Sequence, residues 1–194
     1  MELNPTEHNS RTIYRIMTTV TAPRPIAWIS SMDSDGNDNL APYSHYNNVC
    51  AAPPVVMFSA GTHRGLKDTT RNVLETEEFV INAVTTPLVE KMDSTSATLE
   101  PGDSEFGWAN IAREESTAVS PPRVAESPVH LECILYDSMD VYNNRMILGE
   151  VIHIHIDDSL LTEGKVDSQK FDPVGRLGGP YYTETRIMDA QRQY

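Results

Sequence analysis

Three short apolar runs, separated by two turn signals, organise residues 23–59. Residues 24–31 are rich in β-forming side chains and predict a first strand. Residues 33–37 follow it with a glycine and with Asp and Asn side chains that bond nearby backbone, so they predict a hairpin turn. A second extended run covers residues 40–49. Two prolines then force extended geometry before the apolar residues 55–58, which predict a third strand.

Residues 43–48 lack the alternation of a core strand, because Tyr, Ser, His, Tyr, Asn and Asn follow one another. The pattern leaves two interpretations open. The run is either an exposed edge strand or a strand whose hydroxyl and amide groups contact a flat polar ligand.

Three more strands are predicted further along the chain, at residues 78–84, 129–136 and 145–156. In the last of these, His153 and His155 fall on one face, and three isoleucines take the other. A metal site needs further converging ligands. We therefore prefer a strand whose polar side faces solvent or a partner subunit.

Helices are expected at fewer places. Residues 11–20 fit either a short helix or an entry strand. One helix is predicted to begin with Asp68 as its N-cap, and another to have Pro87 in its first position. Together with the polar, acidic residues that follow, roughly residues 87–122 are expected to form a helical insertion.

The net charge of −13 is spread along the chain, and lysine is scarce. This charge argues against nucleic acid or an anionic membrane surface as partners. Spread acid with little lysine favours a halophilic source over an ordinary acidic enzyme. Two cysteines do not suggest a disulfide framework, and Cys50 is expected to be a small buried residue. With no signal peptide and no membrane-spanning run, we expect a soluble cytoplasmic protein.

The most cationic place on this acidic chain is the loop and helix start at residues 59–71, which contain Arg64, Lys67 and Arg71. A helix N-terminus presents free N–H groups and the positive end of the helix dipole. The combination predicts an anion site. The other interpretation is that these side chains pair with nearby glutamates on a solvated face.

Four motifs occur in order: PRPIAWIS at 23–30, NLAPYS at 39–44, PPVVMFS at 53–59 and KDT at 67–69. By these motifs the chain resembles the flavin reductase-like, FMN-binding split-barrel proteins, and in particular their flavoredoxin-like branch. The resemblance implies a mainly β fold, a six-stranded antiparallel split β-barrel with Greek-key order and flanking helices, forming one domain over residues 1–194. It also implies FMN as cofactor, NAD(P)H as co-substrate and a homodimer with FMN near the subunit interface.

The resemblance further implies which residues contact the cofactor. They are Arg24, Trp28, Ser30, Ser31, Tyr43, Ser44, His45, Tyr46, Asn47, Ser59, Arg64, Lys67, Asp68, Thr69 and Arg176.

The resemblance implies roles for some of these residues and leaves alternatives for others. The KDT residues are expected to grip the phosphate, Tyr46 to face the flavin ring, and Ser44 with Asn47 to bond its pyrimidine edge. The paired serines at the end of the first strand would contact the ribityl chain and phosphate, or else cap the turn. Trp28 is expected in the core, bordering the ring. Arg176 would contact the pyrimidine edge or the nicotinamide nucleotide, or be structural.

The implied reaction is hydride transfer from NAD(P)H to flavin, for which the cofactor carries the chemistry. The chain shows neither a catalytic triad nor a Gly-rich dinucleotide fingerprint. Two alternatives remain. One is an FMN-binding electron carrier that exchanges electrons with a redox partner protein, and the other is a barrel of the pyridoxamine-phosphate oxidase type.

Overall fold

The computed structural model describes residues 2–100, 102–188 and 190. Its strands are β1 (Ala27–Met32), β2 (Asp38–Tyr43), β3 (Tyr46–Ala51), β4 (Pro54–Gly61), β5 (Glu78–Ala83), β6 (Arg113–Glu114), β7 (Arg123–Val124), β8 (Val129–Val141), β9 (Asn144–Ile156), β10 (Leu161–Thr162), β11 (Lys165–Val166), β12 (Val174–Arg176) and β13 (Tyr182–Glu184). Seven of them form one antiparallel sheet in the order β2-β1-β5-β8-β9-β4-β3. The expected mainly β, antiparallel fold is confirmed.

The sheet has seven strands where six were expected, because residues 40–49 form two strands and not one. β2 pairs with β1, whereas β3 pairs with β4 at the opposite edge. Only Ser44 and His45 join these two edge strands, so the edges must approach each other at that corner. A sheet whose edges meet in this way curls into a barrel that stays open along the rest of the seam.

The predicted hairpin turn is present between β1 and β2. The Asp33 carboxylate accepts the N–H groups of Asp35 and Asn37 at 3.0 and 2.8 Å. Gly36 has a φ of 88°, which a residue with a side chain rarely adopts. The turn chemistry read from the sequence therefore sets the register of the first hairpin.

The helices are α1 (Ser10–Val20), α2 (Asp68–Thr76), α3 (Val89–Ser94) and α4 (Glu105–Trp108), with 3-10 turns at Pro5–Glu7, Thr86–Leu88 and Asp158–Leu160. Residues 11–20, left open between helix and strand, are thus helical. The N-cap of α2 is Lys67, one residue before the predicted position, and it makes no side-chain cap bond. Within its described residues, the expected helical insertion contains α3, α4, β6 and the end of the 3-10 turn Thr86–Leu88, and β6 pairs with β7 just beyond it.

Two hydrophobic clusters lie on opposite sides of β1, because successive side chains of a strand point to opposite faces. Ala27 and Ile29 join the cluster inside the barrel, around Phe58 and Phe79, and Trp28 joins the cluster outside it. Gly149 lies so close to the Phe79 ring that an added Cβ would come within 2.2 Å of it. Cys50, expected to be buried, is exposed on the edge strand β3, and Cys133 is buried.

We expected the histidine face of β9 to meet solvent or a partner subunit, but in the structure the isoleucine face is the more exposed of the two. Ile152 and Ile154 are exposed. The histidine side is half-buried, and His155 Nε2 lies 2.5 Å from the carboxylate of the buried Glu132. That carboxylate also accepts the N–H groups of Thr117 and Ala118 at 2.8 and 2.6 Å. Glu132 therefore ties the 113–124 segment to the sheet, and His155 contacts the same carboxylate.

The described ranges, 2–100, 102–188 and residue 190, contain no helix long and apolar enough to cross a bilayer. They also contain no group of three or more His, Cys, Asp or Glu side chains arranged to hold a metal ion.

Candidate cofactor site at the N-terminus of α2

A polar cleft of about 680 Å³ lies between β2, the N-terminal turn of α2 and the segment that leads to α4. Its walls contain three of the residues expected to hold the phosphate, together with one aromatic side chain of β2. These are Lys67, Asp68, Thr69 and Tyr43. The structure thus brings the KDT motif and the NLAPYS motif to one cavity.

Buried amide and hydroxyl groups fix the floor of the cleft. Asn39 Nδ2 donates to Thr69 Oγ1 at 2.8 Å, and Asn72 Nδ2 donates to Ser31 Oγ at 3.2 Å. Because the Thr69 oxygen accepts the Asn39 amide, its own proton is left to donate to another oxygen, either that of Tyr43 or that of a ligand. Ser31 is fully buried and orients its neighbours from beneath.

The first turn of α2 supplies further donors. Arg71 is the first residue of the helix whose N–H bonds a helical carbonyl, that of Lys67, at 2.9 Å. The N–H groups of residues 68–70 therefore have no helical partner, as at any helix start. The Lys67 side chain is exposed beside them, and within the described part of the chain it forms no ion pair. These donors favour a small anion such as a phosphate.

Tyr43 and Glu105 are the titratable groups in the inner part of the cleft. Burial raises the pKa of the Tyr43 phenol to about 12. Burial also raises the pKa of Glu105, whose carboxylate accepts the Leu40 N–H at 2.9 Å. Tyr43 therefore stays neutral across the physiological range and offers a hydroxyl to a ligand, not a charge.

Three residues of this site were missed from the sequence. Asn39 is the first residue of the quoted NLAPYS motif, and Asn72 lies three residues after Thr69, on the same face of α2. Both signals were available. Glu105 lies far along the chain in a loop-like segment, and no pattern in the sequence placed it here.

A second group of expected residues lies at the other end of β1, around an apolar cavity of about 400 Å³. Arg24 and Tyr46 line this cavity. The Arg24 guanidinium donates to the carbonyl of Thr18, to that of Thr21 at 2.9 Å and to that of Leu177 at 3.1 Å. Arg24 therefore holds the C-terminal end of α1.

Ser44 and Arg176 are neighbours of Arg24. Arg24 Nε donates to Ser44 Oγ at 3.4 Å, and the backbones of Arg24 and Arg176 exchange hydrogen bonds of 3.0 and 2.8 Å. The Arg176 guanidinium stacks on Tyr182 at 4.5 Å, and its Nη1 is buried with no hydrogen-bond partner in the described ranges. The two arginines are thus paired through their backbones, and Arg24 also lines the apolar cavity.

Trp28 and Ser30 are fully buried, and their polar atoms bond to protein. Trp28 Nε1 donates to Thr95 Oγ1 at 3.0 Å, and Ser30 Oγ donates to the Pro122 carbonyl at 2.5 Å. These contacts secure the segments that flank the cleft.

The remaining expected residues lie in the walls of neither cavity. His45 and Ser59 meet through their backbones, with Ser59 N–H donating to the His45 carbonyl at 2.8 Å. Asn47 is exposed on β3, and Arg64 is exposed in the loop before α2.

β2 nonetheless connects the two groups of residues. Asn39 at its start belongs to the polar cleft, and Ser44, just past its end, contacts Arg24 beside the apolar cavity. Five residues of extended chain span roughly 16 Å. The path suits an elongated ligand with an anionic group at one end and a flat ring at the other.

Comparison with known proteins agrees with this geometry. The family model described as "Flavin reductase like domain" matches residues 19–174. An uncharacterized protein of Aquifex aeolicus is 40% identical over 187 residues, covering 95% of each chain. The crystal structure of nitrilotriacetate monooxygenase component B from Bacillus cereus superposes with a TM-score of 0.93 at 29% identity, over 98% of each chain.

A 2-nitrobenzoate 2-nitroreductase of Pseudomonas fluorescens gives a TM-score of 0.91 at 29% identity, covering 100% of this chain and 98% of the other. The fold, the order of the motifs and the extent of the match agree with one another. The chain belongs to the family of proteins with a flavin reductase-like domain.

Proposed function

We propose that this protein, as a single cytoplasmic domain, binds FMN and passes electrons from NAD(P)H to the flavin. The observation that carries the proposal is the set of donors at the start of α2, where free N–H groups, Thr69 and Lys67 converge on one cleft. These groups fit a phosphate, because each is a donor or a cation and the buried Asn39 fixes the orientation of Thr69. A flavin without a phosphate would leave them unused.

The protein's part in the reaction is to hold and orient. Thr69 and the first turn of α2 would hold the phosphate, and the β2–β3 corner at Ser44 and Tyr46 would lie beside the ring. Bound flavin supplies the hydride-accepting chemistry. No side chain has to transfer a proton for this step, so the protein contributes position and orientation.

The solved relatives support a redox role. Two of them, each 29% identical, are named as a monooxygenase component and a nitroreductase. We take from these names the class of reaction only and propose reduction of flavin as the step carried out by this chain.

The test is a visible absorption spectrum of the purified protein with added FMN, followed by anaerobic titration with NADH and with NADPH. Flavin bands that bleach on titration would support the reductase. Bound flavin that neither coenzyme bleaches would favour the alternative, an electron carrier served by a redox partner protein. A protein that binds no FMN would refute both.

We also propose that the protein is a homodimer, joined through the apolar end of the barrel. Ile154 is 52% exposed and lies opposite Leu131 in the β8–β9 ladder. Leu131 and Val129 line the apolar cavity, and Ile156 lies opposite Val129. The cavity and these strands form one continuous apolar surface, of the kind that an oligomer interface covers. An interface here would place the ring end of the flavin path near the partner.

A further inference from the structure

Glu105 contributes a buried negative charge to the proposed phosphate cleft. It opens α4, its residue is only 7% exposed, and its carboxylate accepts the Leu40 N–H at 2.9 Å. Leu40 follows Asn39, whose amide bonds Thr69 in the first turn of α2 at 2.8 Å. Two short contacts and one peptide unit therefore connect the carboxylate to the donors that would hold the phosphate.

The cleft as a whole is richer in acid than in base. Two cationic side chains, Lys67 and Arg71, line it against six carboxylates, which are those of Asp33, Asp38, Asp68, Glu100, Asp103 and Glu105.

These carboxylates are not equivalent. Asp68 is paired with Arg71 at 2.8 Å, and Asp38 is paired with Arg113 at 2.5 Å. Glu100 and Asp103 are exposed, so water and salt screen their charges. Glu105 is buried, and over the described ranges it has no cationic partner. Its charge is therefore the least screened in the cleft.

Other negative charges already act on Glu105. Burial raises the pKa of this carboxyl, and nearby Asp68 and Asp38 raise it further against the lowering effect of the Leu40 amide. A phosphate at the start of α2 would add another negative charge to the same cleft. Because electrostatic coupling is reciprocal, a group that the phosphate disfavours must equally disfavour the phosphate.

We propose that Glu105 is a specificity-determining residue that weakens binding of the flavin phosphate, so that FMN exchanges with solution and is not retained. The inference rests on the proposed function. α2 supplies attraction through N–H groups and Lys67, and Glu105 offsets part of it. The affinity of the cleft for a phosphate is therefore set by two opposing elements and not by the helix start alone.

The test compares FMN with riboflavin, which has the same ring and no phosphate. Both are titrated at mildly alkaline pH and low salt into wild type, Glu105→Gln, Glu105→Asp and Glu163→Gln. Gln keeps an oxygen to accept the Leu40 N–H, Asp keeps the charge, and Glu163 lies in the exposed β10–β11 turn. We expect Glu105→Gln to raise the ratio of FMN to riboflavin affinity about tenfold. The other two variants should leave this ratio within about twofold.

Retention gives a second readout. After gel filtration, Glu105→Gln should keep a larger fraction of its FMN than wild type does. Glu105→Ala removes the same charge without an isostere, and its ratio should rise as well, with riboflavin reporting any general damage to the site.

A ratio that stays at the wild-type value in both Glu105→Gln and Glu105→Ala would overturn this inference alone, provided that wild type prefers FMN. If wild type and every variant bind the two flavins equally, the phosphate does not use this cleft. The proposed function would then fail together with the inference.

Discussion

The two ends of β1 lead to two cavities of opposite character. Beyond its last residues lies the cleft beside α2, whose walls offer amides, hydroxyls and charges. Before its first residue lies a cavity lined mainly by Pro, Ile, Val, Leu and Phe side chains. The polar end suits the anionic group of a cofactor, and the apolar end suits a flat ring or a partner surface. One strand can serve both because it is buried on both faces and carries its polar side chains near its end.

Replacing Ile154 with Asp gives the largest expected effect, because it places a charge on the apolar end of the barrel. If that end is the dimer interface, the free energy of dimerisation should become less favourable by at least about 2 kcal/mol, the cost of losing a central apolar contact. Light scattering after size-exclusion chromatography measures the mass. Tyr142→Asp, at a fully exposed tip of the β8–β9 hairpin, is the matched control and should not change it. A dimer that persists in Ile154→Asp would assign the interface to another face.

Lys67→Ala tests the polar end. Loss of an exposed cation beside a helix N-terminus should weaken FMN binding by about 1 kcal/mol, since charge-assisted contacts to phosphate are among the stronger polar interactions. Riboflavin affinity and the melting temperature should stay near the wild-type values. Fluorescence titration measures both flavins, and Lys165→Ala on β11 is the control. Equal losses for the two flavins would show that Lys67 acts on the fold or on the ring and not on the phosphate.

Ser44→Ala tests the corner between the two ends and should have an effect of similar or smaller size. It removes the hydroxyl that accepts from Arg24 Nε and that is expected to face the ring edge. The expected loss is about 0.5–1.5 kcal/mol, the worth of one hydrogen bond, and it should be the same for FMN and riboflavin. A loss confined to FMN would place the phosphate, not the ring, at this corner.

Salt should act on the surface more than on either cavity. If the acid excess marks a halophilic source, the melting temperature should rise as KCl is added, because screening relieves repulsion among carboxylates. A differential scanning experiment over a range of KCl concentrations measures the change. A melting temperature that is flat or highest at low salt would leave an ordinary acidic protein.

The hairpin and the start of α2 could be predicted because both depend on local chemistry. A glycine with an Asp and Asn turn specifies β1–β2, and a Gly-containing loop that ends at Asp68 specifies the helix start to within one residue. The corner at Ser44 and His45 was not predicted, because the sequence of an extended run does not show whether all its residues pair with one strand or pass from one partner strand to another. Only the pairing of β2 with β1 and of β3 with β4 reveals the break.

The site was predictable only where its residues are close in sequence. The KDT residues and Tyr43 each belong to a compact motif, and the structure brings these predicted residues to one cleft. Glu105 comes to the cleft through tertiary packing, and its bond to Leu40 joins residues that are 65 positions apart. The exposure of Ile152 and Ile154 was likewise hidden, because an apolar face predicts burial but not whether the same chain or a second chain provides it.

The most direct test of the account is one titration that compares FMN with riboflavin in wild type and in Lys67→Ala. If the cleft beside α2 holds the phosphate, wild type should bind FMN more tightly than riboflavin, and most of that difference should disappear in the variant. Equal affinity for the two flavins both in wild type and in Glu105→Gln would contradict the account, because the donors at the start of α2 would then have no part in binding.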